Sequence, residues 1–242
     1  MKINILVLAA SPSKPGSEAV VYPTCLAEFN GVSILETIVN NSLSVTGAQY
    51  TFAILQKDAQ HHHLDNVIRL LAPQAKVVQV PESTQGSACT ALLGACELDQ
   101  DAALLIISAN EIVDLDLQEV VNDFDRRGLH GGTLTFRSVH PRYSYVRVDE
   151  QGLVTEVSQQ NPISQHATAG VFWFRRTGDF VEGAKAIIRK NVVVRDNFFV
   201  ALTLNELILK QQSVGVYKLD NNKYVPLKTE RQIEQFQEGA FT

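Results

Sequence analysis

The sequence has few cysteines, no cluster of positive charge and no long hydrophobic run, and each absence excludes a class of protein. Its three cysteines, Cys25, Cys89 and Cys96, match no zinc or CxxC spacing, so we expect reduced and mostly buried thiols. There are 21 Lys and Arg against 26 Asp and Glu, the net charge is −5, and no stretch concentrates basic residues, which argues against a nucleic-acid partner. The opening apolar run, residues 3–9, is too short for a signal-peptide core or a membrane span, so we expect a soluble, cytoplasmic chain without a membrane partner.

Apolar residues make up 45% of the chain, which is enough for a large core, and their spacing predicts alternating strands and helices. Residues 3–9 are apolar apart from Asn4, as in a parallel strand covered on both faces. In residues 33–43 the apolar positions have helical spacing, and Ser33 with Glu36 forms a capping box. Further predicted strands are 49–56, 76–80 and 102–108, and further predicted helices are 64–72, 86–98 and 114–128. This alternation predicts an α/β fold with a Rossmann-like, mostly parallel sheet flanked by helices, and the most apolar strand, 102–108, at its centre.

The second half of the sequence changes rhythm. Strands are predicted at 131–138, on both sides of a turn at 149–152, and at 168–176, followed by helices at 179–191 and 199–211, a strand at 214–219 and a helix at 230–237. Successive strands without intervening helices predict a small antiparallel extension of the sheet. We expect one domain, residues 1–242, with halves at about 1–128 and 129–242.

Several motifs occur in the order found in one enzyme family. "LAASPS" and "PTCLAEFNGVSILE" are similar to L-A-A-G-x-G-x-R and P-K-x-L-x-x-I-x-G-x-P-x-(L/I)-E, and "STQGSACTALLGA" is similar to a G-T-A segment. "LLIISANEIVDLDLQEVV" resembles a strand, N-G-D and helix, and "TAGVFWF" resembles N-A-G-x-Y-x-F. The chain therefore resembles the sugar-nucleotide pyrophosphorylases, which join a nucleoside triphosphate to a sugar phosphate or a small phosphorylated alcohol. Capsule and surface-polysaccharide nucleotidyltransferase-like proteins look nearest, through "QGSACTAL" and "HPRYSYV".

The resemblance implies a GT-A-like nucleotide-diphospho-sugar transferase fold with a ligand crevice at the carboxyl ends of the strands. Its nucleotide-binding half is 1–128, and its sugar-phosphate half is 129–242. The implied nucleotide contacts are Ala9, Ala10, Ser11, Pro12, Ser13, Gln85, Gly86, Ser87, Ala88 and Asn110. On the sugar-phosphate side they are Gln159, Gln160, Ala169 and Gly170, to which the polar and aromatic cluster His140, Arg142 and Tyr143 adds candidates for the pocket lining. The expected ligand is a nucleotide or a sugar phosphate.

The phosphate loop departs from the family pattern. Ser11 and Ser13 replace glycines that let backbone N–H groups approach phosphates, and Pro12 removes one donor. Thr24 replaces the family's P-K lysine, and Lys14 is the residue that can substitute for the arginine. Lys14 and Thr24 are thus the candidate catalytic positions, with less charge than the family uses.

Neutral residues also replace charged ones at the positions where the family binds metal ions and the sugar phosphate. Asn110 stands where the family has its first metal-binding Asp, and Pro226 where it has the second. We expect Glu111, adjacent to Asn110, to point elsewhere. Gln159 and Gln160 replace the E-K pair. Neutral residues at ionic positions predict that Mg²⁺-dependent transfer is weakened or absent, with Mg²⁺ a cofactor only if the chain is active and Asn110 its one possible ligand.

Two other functions remain open from the sequence. The chain can be a non-enzymatic partner or regulatory subunit of a transferase, or a homo-oligomer. It can also be a GT-A-type glycosyltransferase that uses the D-x-D motif of Asp114 and Asp116, although the helix dipole already explains carboxylates at the start of a helix.

Other conspicuous residues have ordinary structural interpretations. Consecutive residues of a helix diverge by about 100°, so we interpret the histidines at 61–63 as a solvated helix start and not a metal site. Cys25 is interpreted as a buried thiol and Trp173 as a core residue. The small residues 86–88 suit either a nucleotide base or tight packing of the helix on the sheet.

Overall fold

The computed structural model of the chain describes residues 2–10 and 22–238. The predicted contacts Ser11, Pro12, Ser13 and Lys14 lie outside the described residues. The strands are β1 (Ile3–Leu8), β2 (Glu28–Phe29), β3 (Val32–Ser33), β4 (Ala48–Leu55), β5 (Lys76–Val80), β6 (Ala103–Ser108), β7 (Glu111–Val113), β8 (Gly131–Arg137), β9 (Ser144–Val148), β10 (Val154–Gln159), β11 (His166–Phe174), β12 (Val214–Lys218) and β13 (Tyr224–Pro226). The helices are α1 (Ile34–Ser42), α2 (Gln56–His62), α3 (Leu64–Leu71), α4 (Ser87–Ala95), α5 (Leu117–Arg126), α6 (Thr177–Arg189), α7 (Val200–Leu209) and α8 (Glu230–Gln237), with 3₁₀ turns at Thr24–Leu26 and Asn221–Lys223.

Nine of the described strands form one mixed sheet. Its first part is parallel, in the order β6-β1-β4-β5. Strand β11 joins β6 in the antiparallel sense and carries β8 and the β9–β10 hairpin, and β12 pairs with β8. The predicted α/β fold, with a parallel sheet between helices and an antiparallel extension in the second half, is confirmed.

The central strands are apolar because they are covered on both faces. Every residue of β1 is buried, and so are residues 103–107 of β6. Strand β6 lies between β1 and β11, so its predicted central place is confirmed. The predicted cap of α1 is also present, since Ser33 Oγ accepts a hydrogen bond from the backbone N–H of Glu36 at 3.1 Å.

The region around the histidines at 61–63 differs from the prediction. The structure has a separate short helix, α2, that ends at His62, and His63 has a left-handed backbone with φ 51° before α3. A seven-residue helix directly after a strand carries too little periodicity to be recognised in sequence.

The pairing of β7 with β13 also lies beyond the sequence prediction. The sequence pattern predicts no strand at Glu111–Val113, yet this segment forms an antiparallel pair with Tyr224–Pro226. Both strands are short, and they lie more than a hundred residues apart in the sequence. No local sequence pattern therefore predicts their pairing. It brings the end of the chain next to the carboxyl end of β6.

None of the described helices is both long and apolar enough to cross a lipid bilayer. The 13 residues of α6 correspond to roughly 20 Å, against the ~30 Å of a bilayer core.

Candidate functional site

A polar cleft of about 240 Å³ opens at the carboxyl end of β6. It collects residues from both halves of the chain. The predicted site residues in its lining are Ser87, Asn110, Arg142, Gln159, Gln160 and Gly170. The lining residues that the sequence prediction did not include are Ser108, Glu111, Ser144, Thr168, Phe172, Phe199, Val200, Ala201 and Lys228. A larger hollow of about 590 Å³ lies at the opposite, amino ends of the parallel strands, away from the edge where sheets of this kind bind ligands.

Glu111 is the most constrained polar side chain of the cleft. The expectation that it points elsewhere is wrong: the chain turns after β6, and both Asn110 and Glu111 line the cleft. Its side chain is only 3% exposed. Oε1 accepts a hydrogen bond from Lys228 Nζ at 2.9 Å, and Oε2 accepts one from the Tyr224 hydroxyl at 2.6 Å. A buried carboxylate is thus neutralised and hydrogen-bonded on both oxygens.

Gly170 makes room for this carboxylate. Its backbone has φ +63°, and a Cβ atom there would overlap Oε1 and Cδ of Glu111. The glycine is therefore required for two independent reasons, a left-handed backbone and the close approach of a neighbouring side chain. The local signal of this arrangement in the sequence is a glycine, in "TAGVFWF", within a mostly apolar strand.

Lys228 is the charged lining residue that the sequence analysis misses most clearly. Its Nζ lies 5.4 Å from the ring centroid of Tyr143 as well as beside Glu111, and its side chain remains 25% exposed. The available signal was its place two residues after Pro226, in the segment that resembles a metal-binding motif. The ammonium is held by a carboxylate and an aromatic face, and is open on the cleft side.

A cluster of aromatic rings lies next to the Glu111–Lys228 ion pair. The Tyr224 ring stacks on Phe136 at 3.9 Å between centroids, and Tyr143 contacts both rings edge-on. Burial raises the pKa of the Tyr224 phenol far above its ordinary value, and the nearby charge of Glu111 raises that pKa further. The phenol therefore stays protonated and donates its hydrogen bond to Glu111 at any physiological pH.

Amide side chains form the polar floor of the cleft. Asn110 Oδ1 and Gln160 Oε1 are buried and have no hydrogen-bond partner within the described residues. The Gln159 carbonyl oxygen accepts a hydrogen bond from the Ser144 hydroxyl. Unsatisfied buried acceptors are uncommon in folded proteins, and they are suited to a ligand that brings its own hydroxyl or N–H donors.

Arg142 supplies the second cation of the cleft. Its backbone N–H and its Nε both lie 3.2 Å from Nδ1 of His140, which holds the side chain from outside the cleft. Among the charged groups of the described lining, Arg142 and Lys228 are positive and Glu111 is negative. The cleft thus has an excess of one positive charge, which favours an anionic ligand.

The small-residue segment at the start of α4 is packed tightly against another part of the chain. Gly86 has φ +88°, and a Cβ atom there would lie 2.5 Å from the Phe198 carbonyl oxygen. That oxygen accepts a hydrogen bond from the Ala88 N–H, and the Gln85 carbonyl accepts one from the Phe198 N–H. Of the predicted contacts at 85–88, only Ser87 reaches the cleft, and its Oγ accepts a hydrogen bond from the Val200 N–H.

The remaining predicted contacts are placed outside the described cleft lining. Ala9 is buried at the end of β1, where its N–H donates to the Ala53 carbonyl, and Ala10 is half-buried. Thr24 is half-buried in the first 3₁₀ turn, and Ala169 is buried beneath the cleft.

The described residues do not fit a magnesium ion held by carboxylates. Mg²⁺ is coordinated by oxygen ligands, commonly one or two carboxylates. Asn110 offers a neutral amide, both oxygens of Glu111 already accept hydrogen bonds, and the side chain of Pro226 has no oxygen or nitrogen ligand. Within residues 2–10 and 22–238 no group of three His, Cys, Asp or Glu side chains is arranged to hold a metal ion.

Two further motifs have structural roles. Asp116 is the N-cap of α5: its Oδ1 accepts hydrogen bonds from the Gln118 N–H at 2.9 Å and from the Ser44 hydroxyl at 2.6 Å. Neither Asp114 nor Asp116 belongs to the described cleft lining. Trp173 is completely buried, as predicted for a core residue.

The cysteines are free, and their environments differ. Cys25 is buried, Cys89 is half-buried and Cys96 is exposed, so the expectation of mostly buried thiols is wrong for Cys96. Burial raises the pKa of the Cys25 thiol to about 12, and the nearby charge of Asp58 contributes. At pH 7 roughly one Cys25 in 10⁵ is ionised, which makes it a poor nucleophile.

We expect Cys25 to resist thiol reagents while the protein is folded and Cys96 to react rapidly. Thiolate is the reactive form, and Cys25 combines a high pKa with a buried sulfur. The test is labelling with iodoacetamide, followed by mass spectrometry of the peptides before and after unfolding in urea. Cys96→Ser should remove the fast-reacting peptide, and labelling of folded Cys25 at the rate of Cys96 would contradict the assignment.

No protein-family model and no curated protein sequence matches this chain. Solved structures do match. A nucleoside-diphosphate-sugar pyrophosphorylase from Vibrio cholerae RC9 superposes with a TM-score of 0.79 at 16% identity, over 97% of this chain and 99% of that one. A UDP-glucose pyrophosphorylase complexed with UDP-glucose gives 0.74 at 12% identity, over 100% and 99% of the two chains. An inositol-1-phosphate CTP transferase from T. maritima gives 0.71 at 15% identity, over 98% and 96%. The chain shares the fold of these nucleotidyltransferases, as the motif resemblance implied.

Proposed function

We propose that this chain binds a nucleotide or a sugar phosphate in the cleft at the carboxyl end of β6. The observation that carries the proposal is the lining itself: two cations, Arg142 and Lys228, stand beside buried amide acceptors on a nucleotidyltransferase fold. Arginine and lysine bind phosphate oxygens, and the amides of Asn110 and Gln160 accept hydrogen bonds from hydroxyl groups. A phosphorylated sugar or nucleotide carries both kinds of group.

We further propose that Mg²⁺-dependent transfer is weakened or lost. Nucleotidyl transfer accumulates negative charge on the leaving pyrophosphate, which a divalent cation normally offsets. The neutral residues Asn110 and Pro226 and the engaged carboxylate of Glu111 support this proposal. A place in surface-polysaccharide metabolism is part of the proposal and rests on the motifs "QGSACTAL" and "HPRYSYV".

A non-catalytic subunit of an active transferase is the second candidate, and the same poor fit to a metal ion favours it. A subunit of this kind binds the ligand and contributes no turnover. Purification from the native cell then recovers a transferase with the chain, whereas a protein that binds nucleotide but remains alone excludes this candidate.

Calorimetric titration tests the main proposal. CTP, UTP, dTTP, ATP and glucose 1-phosphate are titrated with Mg²⁺ present, and release of pyrophosphate is followed in parallel. We expect at least one of these ligands to bind, Arg142→Gln to weaken it by about tenfold, and turnover to be absent or slow. Arg147→Gln is the matched control, because Arg147 lies on β9 in an exposed ion pair with Glu156. The absence of heat with all five ligands would contradict the proposal.

A further inference from the structure

We propose that the ammonium group of Lys228 takes the place of a divalent cation in this cleft and forms a metal-independent subsite for a phosphate or pyrophosphate group. The inference deepens the proposed function, on which the identity of the complete ligand rests. The described residues do not fit a magnesium ion, although the described lining has an excess of one positive charge, which suits a phosphate group.

The backbone fixes Lys228 beside Asn110. Strand β13 pairs with β7, with Pro226 opposite Glu111. The next residue, Leu227, donates its N–H to the Asn110 carbonyl oxygen at 3.0 Å. Lys228 therefore follows directly on two anchored positions, and it lines the cavity.

The Lys228 side chain is held in place, but not all of its hydrogen-bond donors are engaged. A lysine ammonium has three donor hydrogens. One is directed to Glu111 Oε1 at 2.9 Å, and the Tyr143 ring lies 5.4 Å from Nζ. With 25% of its side chain exposed, Lys228 has donors left for a ligand, while Glu111 at 3% exposure has no access for one.

The ammonium also disfavours a metal ion in the same place. Like charges a few ångström apart in a partly buried site repel each other more strongly than they do in water. A single positive charge attracts a phosphate but offsets less leaving-group charge than a divalent ion. This arrangement accounts for a cleft that binds a phosphate group and transfers it poorly.

Inorganic pyrophosphate is the probe for this subsite, because it has neither base nor sugar. It is titrated into the protein once in EDTA and once in Mg²⁺. We expect the affinity in EDTA to remain within about threefold of that in Mg²⁺, and Lys228→Met to weaken binding in EDTA by at least about tenfold. Lys228→Arg should retain binding, because it retains the charge. Lys223→Met is the matched control, five residues earlier in the same segment and outside the cleft lining, and should bind as the unchanged protein does.

A second pair of variants keeps the test decisive if Lys228→Met fails to fold. Glu111→Gln removes the buried charge and keeps the ammonium, so it serves as the reference against which pyrophosphate binding of the double variant is measured. Glu111→Gln combined with Lys228→Met removes both charges and should lose binding by at least about tenfold.

The outcomes separate this inference from the proposed function. It is overturned if pyrophosphate binding requires Mg²⁺, if the double variant binds as well as Glu111→Gln, or if the nucleotides bind and pyrophosphate does not. If pyrophosphate binds through Lys228 while no nucleotide or glucose 1-phosphate binds, the proposed function fails and the phosphate subsite stands.

Discussion

Gly170→Ala is expected to lower the free energy of unfolding by about 4 kcal/mol, because a left-handed alanine costs about 1–2 kcal/mol and breaking a buried ion pair costs about 3 kcal/mol. The first cost follows from φ +63° at this position. The second follows because the new Cβ atom overlaps the Glu111 carboxylate, which must move away from Lys228 and Tyr224. Urea denaturation monitored by circular dichroism measures the loss.

Gly152→Ala is the control for Gly170→Ala. Gly152 also has a positive φ, +78°, but a Cβ atom there meets nothing within 4 Å. It should therefore lose only the backbone contribution, about 1–2 kcal/mol. Equal losses in the two variants would show that the carboxylate of Glu111 does not occupy the space beside Gly170.

Lys228→Met should destabilise the protein by about 3 kcal/mol, because it leaves a buried carboxylate without its counter-charge. Glu111 is 3% exposed, and its remaining hydrogen-bond donor would be the Tyr224 hydroxyl. Adding Glu111→Gln removes the uncompensated charge, so the double variant should recover most of the loss. The four proteins form a double-mutant cycle in urea, and the recovery measures the coupling between the two side chains.

An exposed ion pair provides the comparison for this cycle. Lys210 contacts Glu182 at 2.7 Å, and their side chains are 49% and 68% exposed. Lys210→Met should cost about 0.5 kcal/mol, since water solvates Glu182 when its partner is removed. If Lys228→Met lowers the free energy of unfolding no more than Lys210→Met does, burial does not increase the contribution of the Glu111–Lys228 pair to stability.

Much of the fold follows from patterns that are local in sequence. The apolar run at 3–9 predicts a strand buried on both faces, and the structure has β1 at Ile3–Leu8. Ser33 and Glu36 predict the start of α1 because a cap is formed by residues within one turn of each other. The order of strands and helices then restricts the sheet to the parallel arrangement, since strand–helix–strand units connect in only one common way.

The site was predictable only residue by residue. Motifs in different parts of the chain predict six of the cleft residues separately. The structure places all six in one cleft: Ser87, Asn110, Arg142, Gln159, Gln160 and Gly170. In the sequence, the small residues 86–88 are compatible with either contact to a nucleotide base or tight packing of the helix on the sheet. Their backbone bonds and close approach to Phe198 are contacts with a segment more than a hundred residues away.

The sequence alone determined the alternation of elements and the neutral residues at the positions where the family that it resembles holds metal ions, because both are properties of residue type and spacing. The tertiary structure decided which charged side chains line the cleft and which of them contact each other. Glu111 and Lys228 are 117 residues apart, and they meet because β7 pairs with β13 and Gly170 leaves space for the carboxylate. Side-chain periodicity specifies which face of an element is buried, but it does not specify which distant element covers it. The position of Lys228 in this cleft is therefore a result of strand pairing.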